Sequence, residues 1–414
     1  MVERSEQRNA IERRDPVGVV FTDARLIDGQ SNEAREHVDL VVDDAGRIAA
    51  IEPHAPRDWD AGGYRTIDAH GQTLLPGLID CHAHYTIDAR LEVPDGILDA
   101  HRAQPAEAAY IGARNARVAL QGGVTTARSA GAAHSRDIGL RDAIATGDIP
   151  GPRLLAAGGS ITITGGHGWQ FGYEADGIPE LIKLTRRLAR DGADHYKIVS
   201  SEAAQLTSAV AGVEELTLEE VTAIVREARR LRRRVMSHAQ SSGAVVASAK
   251  GGVDSVEHAF LADRAALETL RECGTTLVPT LTVTDVWSDI PGVSQAVRDN
   301  QAHLSVVHRQ SCQTAIELGI PLATGTDCGV RGVMPDMVWR EIWNLHDHGL
   351  SAMDAIKAGT SGAARLLGLE AEAGTLGVGR QADIVMAPGN PLHDLRRLQG
   401  LSLVMQAGRI IRAD

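Results

Sequence analysis

His82-Ala83-His84 sets two imidazoles two residues apart. On an extended segment such residues point to the same side, so the pair can grip one cation. Histidine is common enough that the pair means little until other groups join it. Lys197 lies within Tyr196-Lys197-Ile198-Val199, and His238 ends Val235-Met236-Ser237-His238. His258 ends Ser255-Val256-Glu257-His258, and Asp327 follows Ala323-Thr324-Gly325-Thr326. All sit in or just beyond β-rich runs, where an ionisable group needs a reason to be. Taken singly, each reads equally as a satisfied buried polar side chain. Gathered at one rim, imidazoles, amine and carboxylate make a metal cage. These borderline ligands suit zinc, with cobalt, manganese or iron as alternatives. His195, two before Lys197, shares its side of the strand and is a candidate support. His303, His308, His346 and His348 fall on helical patterns and are expected at the surface.

The elements that must position these residues alternate in type. Eight candidate strands cover 77–80, 124–129, 153–157, 195–199, 235–238, 255–258, 276–280 and 322–326. Helical patterns separate most of them. The clearest is 217–233, where Thr217 and Glu220 form a capping box and Leu218, Val221, Ile224, Val225 and Ala228 share a face. Another opens at Ser351, with Asp354 three later, and runs through Ala355, Ile356, Ala363, Leu366 and Leu367 to a C-cap at Gly368. Eight strands alternating with helices predict an α/β fold, a (β/α)8 TIM barrel, whose strand C-termini carry the active site. A doubly wound open sheet would want a Gly-rich phosphate turn after the first strand, and none is there. No short internal repeat suggests a solenoid.

Both ends of the chain look different from the middle. Short β-rich runs at 17–21, 38–42 and 47–51, with the turn Asp43-Asp44-Ala45-Gly46, match runs at 381–386 and 403–411 in style. Residues 1–75 and 370–414 are therefore expected to form a small β-sandwich domain from both termini, with 76–369 as the barrel. The longest expected loops are 168–180 and 283–300. Their Trp169, Phe171, Tyr173 and Trp287 are candidates to line a pocket, with surface packing as the alternative.

Composition narrows the partners. The 414 residues carry 42 Lys+Arg against 54 Asp+Glu, and a net charge of −12 argues against nucleic acid. The basic run Arg229-Arg230-Leu231-Arg232-Arg233-Arg234 suits a helix C-terminus. Aromatic residues are 3% of the chain, too few for a base-stacking platform. No apolar run is long enough to span a membrane. The start, residues 1–8, is charged and lacks the apolar stretch of a secretory leader; a frayed tail is expected. Four widely spaced cysteines make no disulfide framework or zinc ribbon, and a reducing cytoplasm is the default compartment.

The sequence resembles the amidohydrolase superfamily. The resemblance rests on Leu75-Pro76-Gly77-Leu78-Ile79-Asp80-Cys81-His82-Ala83-His84, Lys197, His238, His258 and Asp327, in the family's order on strands one, four, five, six and eight. The stretch Gly374-Thr375-Leu376-Gly377-Val378-Gly379-Arg380-Gln381-Ala382-Asp383-Ile384-Val385 is similar to the family's return into its β-sandwich. Gly165-Gly166-His167-Gly168 and Gly192-Ala193-Asp194 point to the branch of imidazolonepropionase-related dipeptidases, prolidase-like enzymes and ochratoxin-hydrolase-like amidases.

The resemblance implies a site for two divalent metal ions, most naturally zinc. His82, His84 and Asp327 would hold one ion, His238 and His258 the other, and a carboxylated Lys197 would bridge them. The implied reaction is hydrolysis of an amide bond, such as that of a dipeptide or an N-acyl amino acid. A water made nucleophilic by the ions attacks, with Asp327 as general base and then acid. His167 is a candidate donor to the substrate, and Arg128 and Arg331 are candidate anchors for a substrate carboxylate. The chain departs from the branch at Gln240, where many dipeptidases carry a tyrosine, which leaves room for a lactam or carbamate. Ser241 stands where mononuclear deaminases place a glutamate, which weakens the alternative of a one-metal ring hydrolase or deaminase. A non-catalytic binding protein on the same fold is a third reading. A small-molecule substrate and a homo-oligomer are expected.

Overall fold

The computed structural model describes residues 17–91, 95–203, 213–286 and 295–413; the charged start and Trp287 lie outside them. The described chain opens with β1 (Gly18–Leu26), β2 (Arg35–Asp43), β3 (Ile48–Pro53), β4 (Tyr64–Asp68) and β5 (Gln72–Pro76). β1 pairs antiparallel with β2, and β2 with β3. The turn between β2 and β3 closes with the Gly46 N–H donating to Asp43 O at 3.1 Å, and Gly46 has φ +74°. Only glycine adopts that angle without strain. β1 runs parallel first to β4 and then to β5. It changes partner around Asp23, whose φ of +55° kinks the strand.

The barrel follows. β6 (Leu78–Ala83), β7 (Val124–Ser129) and β8 (Arg153–Leu155) form one parallel ladder. β9 (Ser160–Thr162) and β10 (Gly172–Glu174) begin a second, continued by β11 (Tyr196–Val199), β12 (Val235–Ser241), β13 (Ser255–Leu261) and β14 (Thr276–Val278). The Asp194 N–H donates to Ala156 O at 2.7 Å and joins the two ladders on one side. On the other, an extended segment at 321–328 bonds both edges. Its Pro321 O accepts from Leu277 N at 2.9 Å, and its Thr324 O accepts from Cys81 N at 2.9 Å. The fold is a (β/α)8 barrel with a small β-sandwich made from both ends of the chain.

The eighth expected strand, 322–326, differs in having no regular ladder. Its Thr324 N–H donates to Ala358 O and its Thr326 N–H to the Asp80 carboxylate, so a helix end and a side chain take donors that a neighbouring strand would. Gly325 is needed here, because a Cβ would stand 2.7 Å from that of His82.

Helices cover the barrel. Thr217 and Glu220 form the expected capping box on the helix Leu218–Arg230, which buries Val221, Ile224, Val225 and Ala228. These pack with Ile198, Val235 and Val256 from the strands. Each such side chain contributes about 1.5–3 kcal/mol on burial. The pattern from Ser351 is capped as expected but makes two helices, Ala352–Ala358 and Ser361–Leu367. The break arises because the carbonyls of Ala358 and Gly359 turn to Thr324 N and Ile79 N of the barrel wall. The stretch 168–180 is likewise not a free loop: it holds a 3-10 turn at Trp169–Phe171, β10 and the start of the helix Gly177–Asp191.

At the end of the chain β15 (Ile384–Pro388) pairs with β5 and with β16 (Leu403–Gln406), which turns at Ala407-Gly408 into β17 (Arg409–Ala413). Phe21, Leu26, Leu40, Leu74, Ile384 and Met405 fill the sandwich core. No described helix is long and apolar enough to cross a membrane.

Candidate active site

Period-2 alternation aims the key side chains inward. On β11, Tyr196 and Ile198 pack outward with the helices, and Lys197 between them faces the barrel axis, buried. Lys197 Nζ stands 3.3 Å from His82 Nε2. His82 Nε2 is also 3.3 Å from Asp327 Oδ1, and His84 Nε2 is 3.4 Å from the same oxygen. Ligand atoms of His82, His258 and Asp327 lie within 4.8 Å of one another.

The outer nitrogens are already engaged. His82 Nδ1 meets Glu257 Oε2 at 2.8 Å, His84 Nδ1 meets Gly131 O at 3.1 Å, and His258 Nδ1 meets Thr280 Oγ1 at 2.8 Å. A carboxylate and a carbonyl can only accept, so His82 and His84 carry their protons on Nδ1. Their Nε2 lone pairs therefore converge with a carboxylate oxygen, three acceptors against the single Lys197 amine, which stands 3.3 Å from His82 Nε2. Such a surplus of acceptors has room for a further cation. His238 Nε2 is buried and without a hydrogen-bond partner, its ring 4.5 Å from that of His258. The donor set fits divalent metal.

Electrostatics agree with that use. Burial lowers the His84 pKa to about 3 and pushes His238 and His258 well below the usual histidine range, which keeps them neutral. Burial lowers Lys197 to about 8, against the pull of Glu257 and Asp327. Burial would raise Asp327, but His82, His84 and Lys197 beside it hold its carboxyl well below the ordinary range.

His167 joins the cluster from the turn before Trp169, its ring 4.6 Å from that of His238. Its backbone N–H donates to Glu215 Oε1 at 2.7 Å. Burial, then the nearby Lys197, lowers its pKa to about 4. Phe171 caps this side, 5.1 Å from the His84 ring. Trp169 meets the His101 ring edge-on instead, and Tyr173 turns away to Arg187 and Ser135.

Arg128, His308 and His348 stand deeper than the sequence suggested. Arg128 is not an anchor at the mouth: it is buried, with Nε donating to Cys81 O at 2.7 Å and Nη2 to Glu257 and Ser255. Arg331 is half-buried in the turn after Asp327. Gln240 is buried, its backbone N–H donating to Ser201 Oγ at 2.9 Å. His195 lies on the Lys197 side and meets Ser129 O at 2.9 Å. His303 and His346 are exposed, whereas His308 and His348 are buried, because both face inward from their helices.

Two carboxylates were missed by sequence reasoning. Asp80 accepts from His82 N, Thr326 N and Thr326 Oγ1, tying the strand that bears His82 to the segment that bears Asp327. Burial raises its pKa to about 6. Glu257 is fully buried between His82 and Arg128. Its only signal in the sequence was an acid inside a buried strand, next to His258.

The chain is 29% identical to ochratoxinase of Aspergillus niger over 374 residues, 82% of this chain and 75% of that one. It is 26% identical to imidazolonepropionase of Symbiobacterium thermophilum, over 91% of this chain and 87% of that one. Its fold superposes on a crystal structure of a Xaa-Pro dipeptidase with bound methionine at a TM-score of 0.84, with 29% identity over 95% of this chain and 99% of that one. The crystal structure of A. niger ochratoxinase gives 0.82, with 25% identity over 97% of each. The amidohydrolase family profile matches residues 73–411, barrel and returning strands together, and this chain belongs to that family of carbon–nitrogen hydrolases.

Proposed function

We propose that the protein hydrolyses an amide bond of a small molecule, such as a dipeptide or an N-acyl amino acid, with two divalent metal ions, zinc by preference. The observation that carries the reading is the convergence of His82 Nε2, His84 Nε2 and Asp327 Oδ1 beside a buried lysine. The likeness to a dipeptidase and to ochratoxinase supports the substrate class.

His82, His84 and Asp327 would hold one ion, and His238 and His258 the other. Lys197, with its proton affinity reduced by burial, would carry a carboxyl group as the bridge. When bound, the ions supply an activated water near neutral pH and a polarised scissile carbonyl. Asp327 would accept a proton from the attacking water on its carboxylate and deliver it to the leaving nitrogen. Neutral His167 donates a ring N–H to the substrate carbonyl oxygen. Phe171 shields the His84 side from bulk water. Gln240 and Arg331 remain candidates for substrate contact. The proposed setting is the cytoplasm, as a homo-oligomer.

Elemental analysis of the purified protein, with a panel of dipeptides and N-acyl amino acids, tests this reading. About two ions per chain and turnover lost on chelation are expected. About one ion, with ring hydrolysis or deamination and no amide turnover, overturns it.

A further inference from the structure

We propose that Arg128 and Glu257 form a positioning relay that fixes the tautomer and orientation of His82 and so sets the affinity of the site for metal. The proposal rests on the reading of His82 as a ligand. On β13, strict alternation would send Glu257 and His258 to opposite sides. The left-handed backbone at His258 (φ +74°) and Ala259 (φ +50°) breaks it, and both side chains reach His82. Glu257 Oε2 accepts from His82 Nδ1 at 2.8 Å, and Oε1 accepts from Arg128 Nη2 at 3.0 Å and from Ser255 Oγ. Arg128 Nε donates to Cys81 O at 2.7 Å, the carbonyl just before His82. One guanidinium thus holds both the backbone that carries the imidazole and the carboxylate that orients it.

Stability does not explain the arrangement. Glu257 and Arg128 are almost wholly buried, and an apolar pair of similar volume stabilises a core as well or better. A carboxylate partner does what an apolar pair cannot. It pins the proton on Nδ1, leaves the Nε2 lone pair free, and makes the imidazole a stronger donor. The three engaged histidines are also not equal. His84 leans on a neutral carbonyl and His258 on a hydroxyl, and His82 alone of the three has an anion behind it.

The test uses the full chain loaded with zinc, and separately with cobalt(II). Zinc affinity is measured by competition with a chelator, for the wild type, for Glu257→Gln and for Thr280→Ala as the comparison behind His258. Glu257→Gln is expected to bind about 10–100-fold more weakly and to change the visible cobalt spectrum, with Thr280→Ala affected less. Where Glu257→Gln alone strands the Arg128 charge and fails to fold, the double variant Arg128→Met/Glu257→Gln removes both charges and carries the same expectation. A third measurement needs no variant: 15N-histidine spectra of the zinc-loaded wild type should place the His82 proton on Nδ1. Wild-type affinity and an unchanged cobalt spectrum in the variants, or a His82 proton on Nε2, overturn the relay alone. A wild type that binds no metal overturns the metal reading and the relay with it.

Discussion

The rings of His238 and His258 stand 4.5 Å apart across the adjacent strands β12 and β13, and the buried Nε2 of His238 has no hydrogen-bond partner. An orphaned polar nitrogen at that depth costs about 1–3 kcal/mol unless something fills it. His238→Ala removes that nitrogen. Metal content is expected to fall from about two ions per chain toward about one, read by elemental analysis. The gain in thermal stability on adding zinc should shrink with it, since each site at a hundredfold excess over Kd contributes about 2.7 kcal/mol. Full occupancy in the variant would remove His238 from the ligand set.

Lys197 tests the bridge. With its pKa lowered to about 8, about a tenth of the amine is neutral at pH 7, and only the neutral amine can take up carbon dioxide. Reconstitution of the stripped protein with zinc should therefore depend on bicarbonate and proceed faster at pH 8.5 than at pH 6.5. Lys197→Ala should lose activity, with partial recovery in short carboxylates that fill the vacated position. Wild-type turnover by Lys197→Ala without added carboxylate would sink the bridge.

What the sequence disclosed and what it hid separate along physical lines. The barrel and its six rim residues were legible because period-2 strands and strand-end positions are local properties. Gly325, Thr324 and Thr326 look like an ordinary strand, yet the ladder there is broken by Asp80 and Ala358, partners about 250 and 30 positions away in the chain. Arg128 has the composition of an anchor, and only its depth shows that it serves Glu257 instead. His308 and His348 lie on helices whose buried face is set by what packs beneath. In the case of His308 that is the Phe260 ring, 4.1 Å away.

Asp327 and His167 are assigned different duties, and their variants should differ in kind. Asp327→Asn removes both a proton carrier and a metal-facing anion. It is expected to lower kcat by about 10²–10⁴ and to reduce metal content as well. His167→Ala leaves the convergent acceptors intact. It should lower kcat by about 10²–10³ with metal content unchanged, as loss of one donor to the carbonyl oxygen would. Metal loss in His167→Ala would make it a ligand instead of a donor.

The last prediction concerns acid. His308 is fully buried, its Nδ1 within 3.0 Å of Thr284 Oγ1, and burial, then His348, lowers its pKa to about 3. In the unfolded chain it titrates near 6.5. A pKa below the unfolded value means that the unfolded state takes the proton first as pH falls. The neutral histidine's contribution is therefore whole above about pH 6.5 and is lost on the way toward 3. The loss approaches about 1.4 kcal/mol per pH unit over that window. Asp137 and Glu341, both raised to about 7 by burial, act with the opposite sign, since the fold holds their protons before the unfolded chain does. The net slope of the wild type is thus a sum, and the contribution of His308 shows only in a difference. Denaturant melts of the wild type and His308→Gln at pH 7.5 and 4.5 provide it. The variant's deficit at pH 7.5 should shrink by about 2.5 kcal/mol at pH 4.5. A deficit independent of pH would mean that His308 is not the acid-labile group.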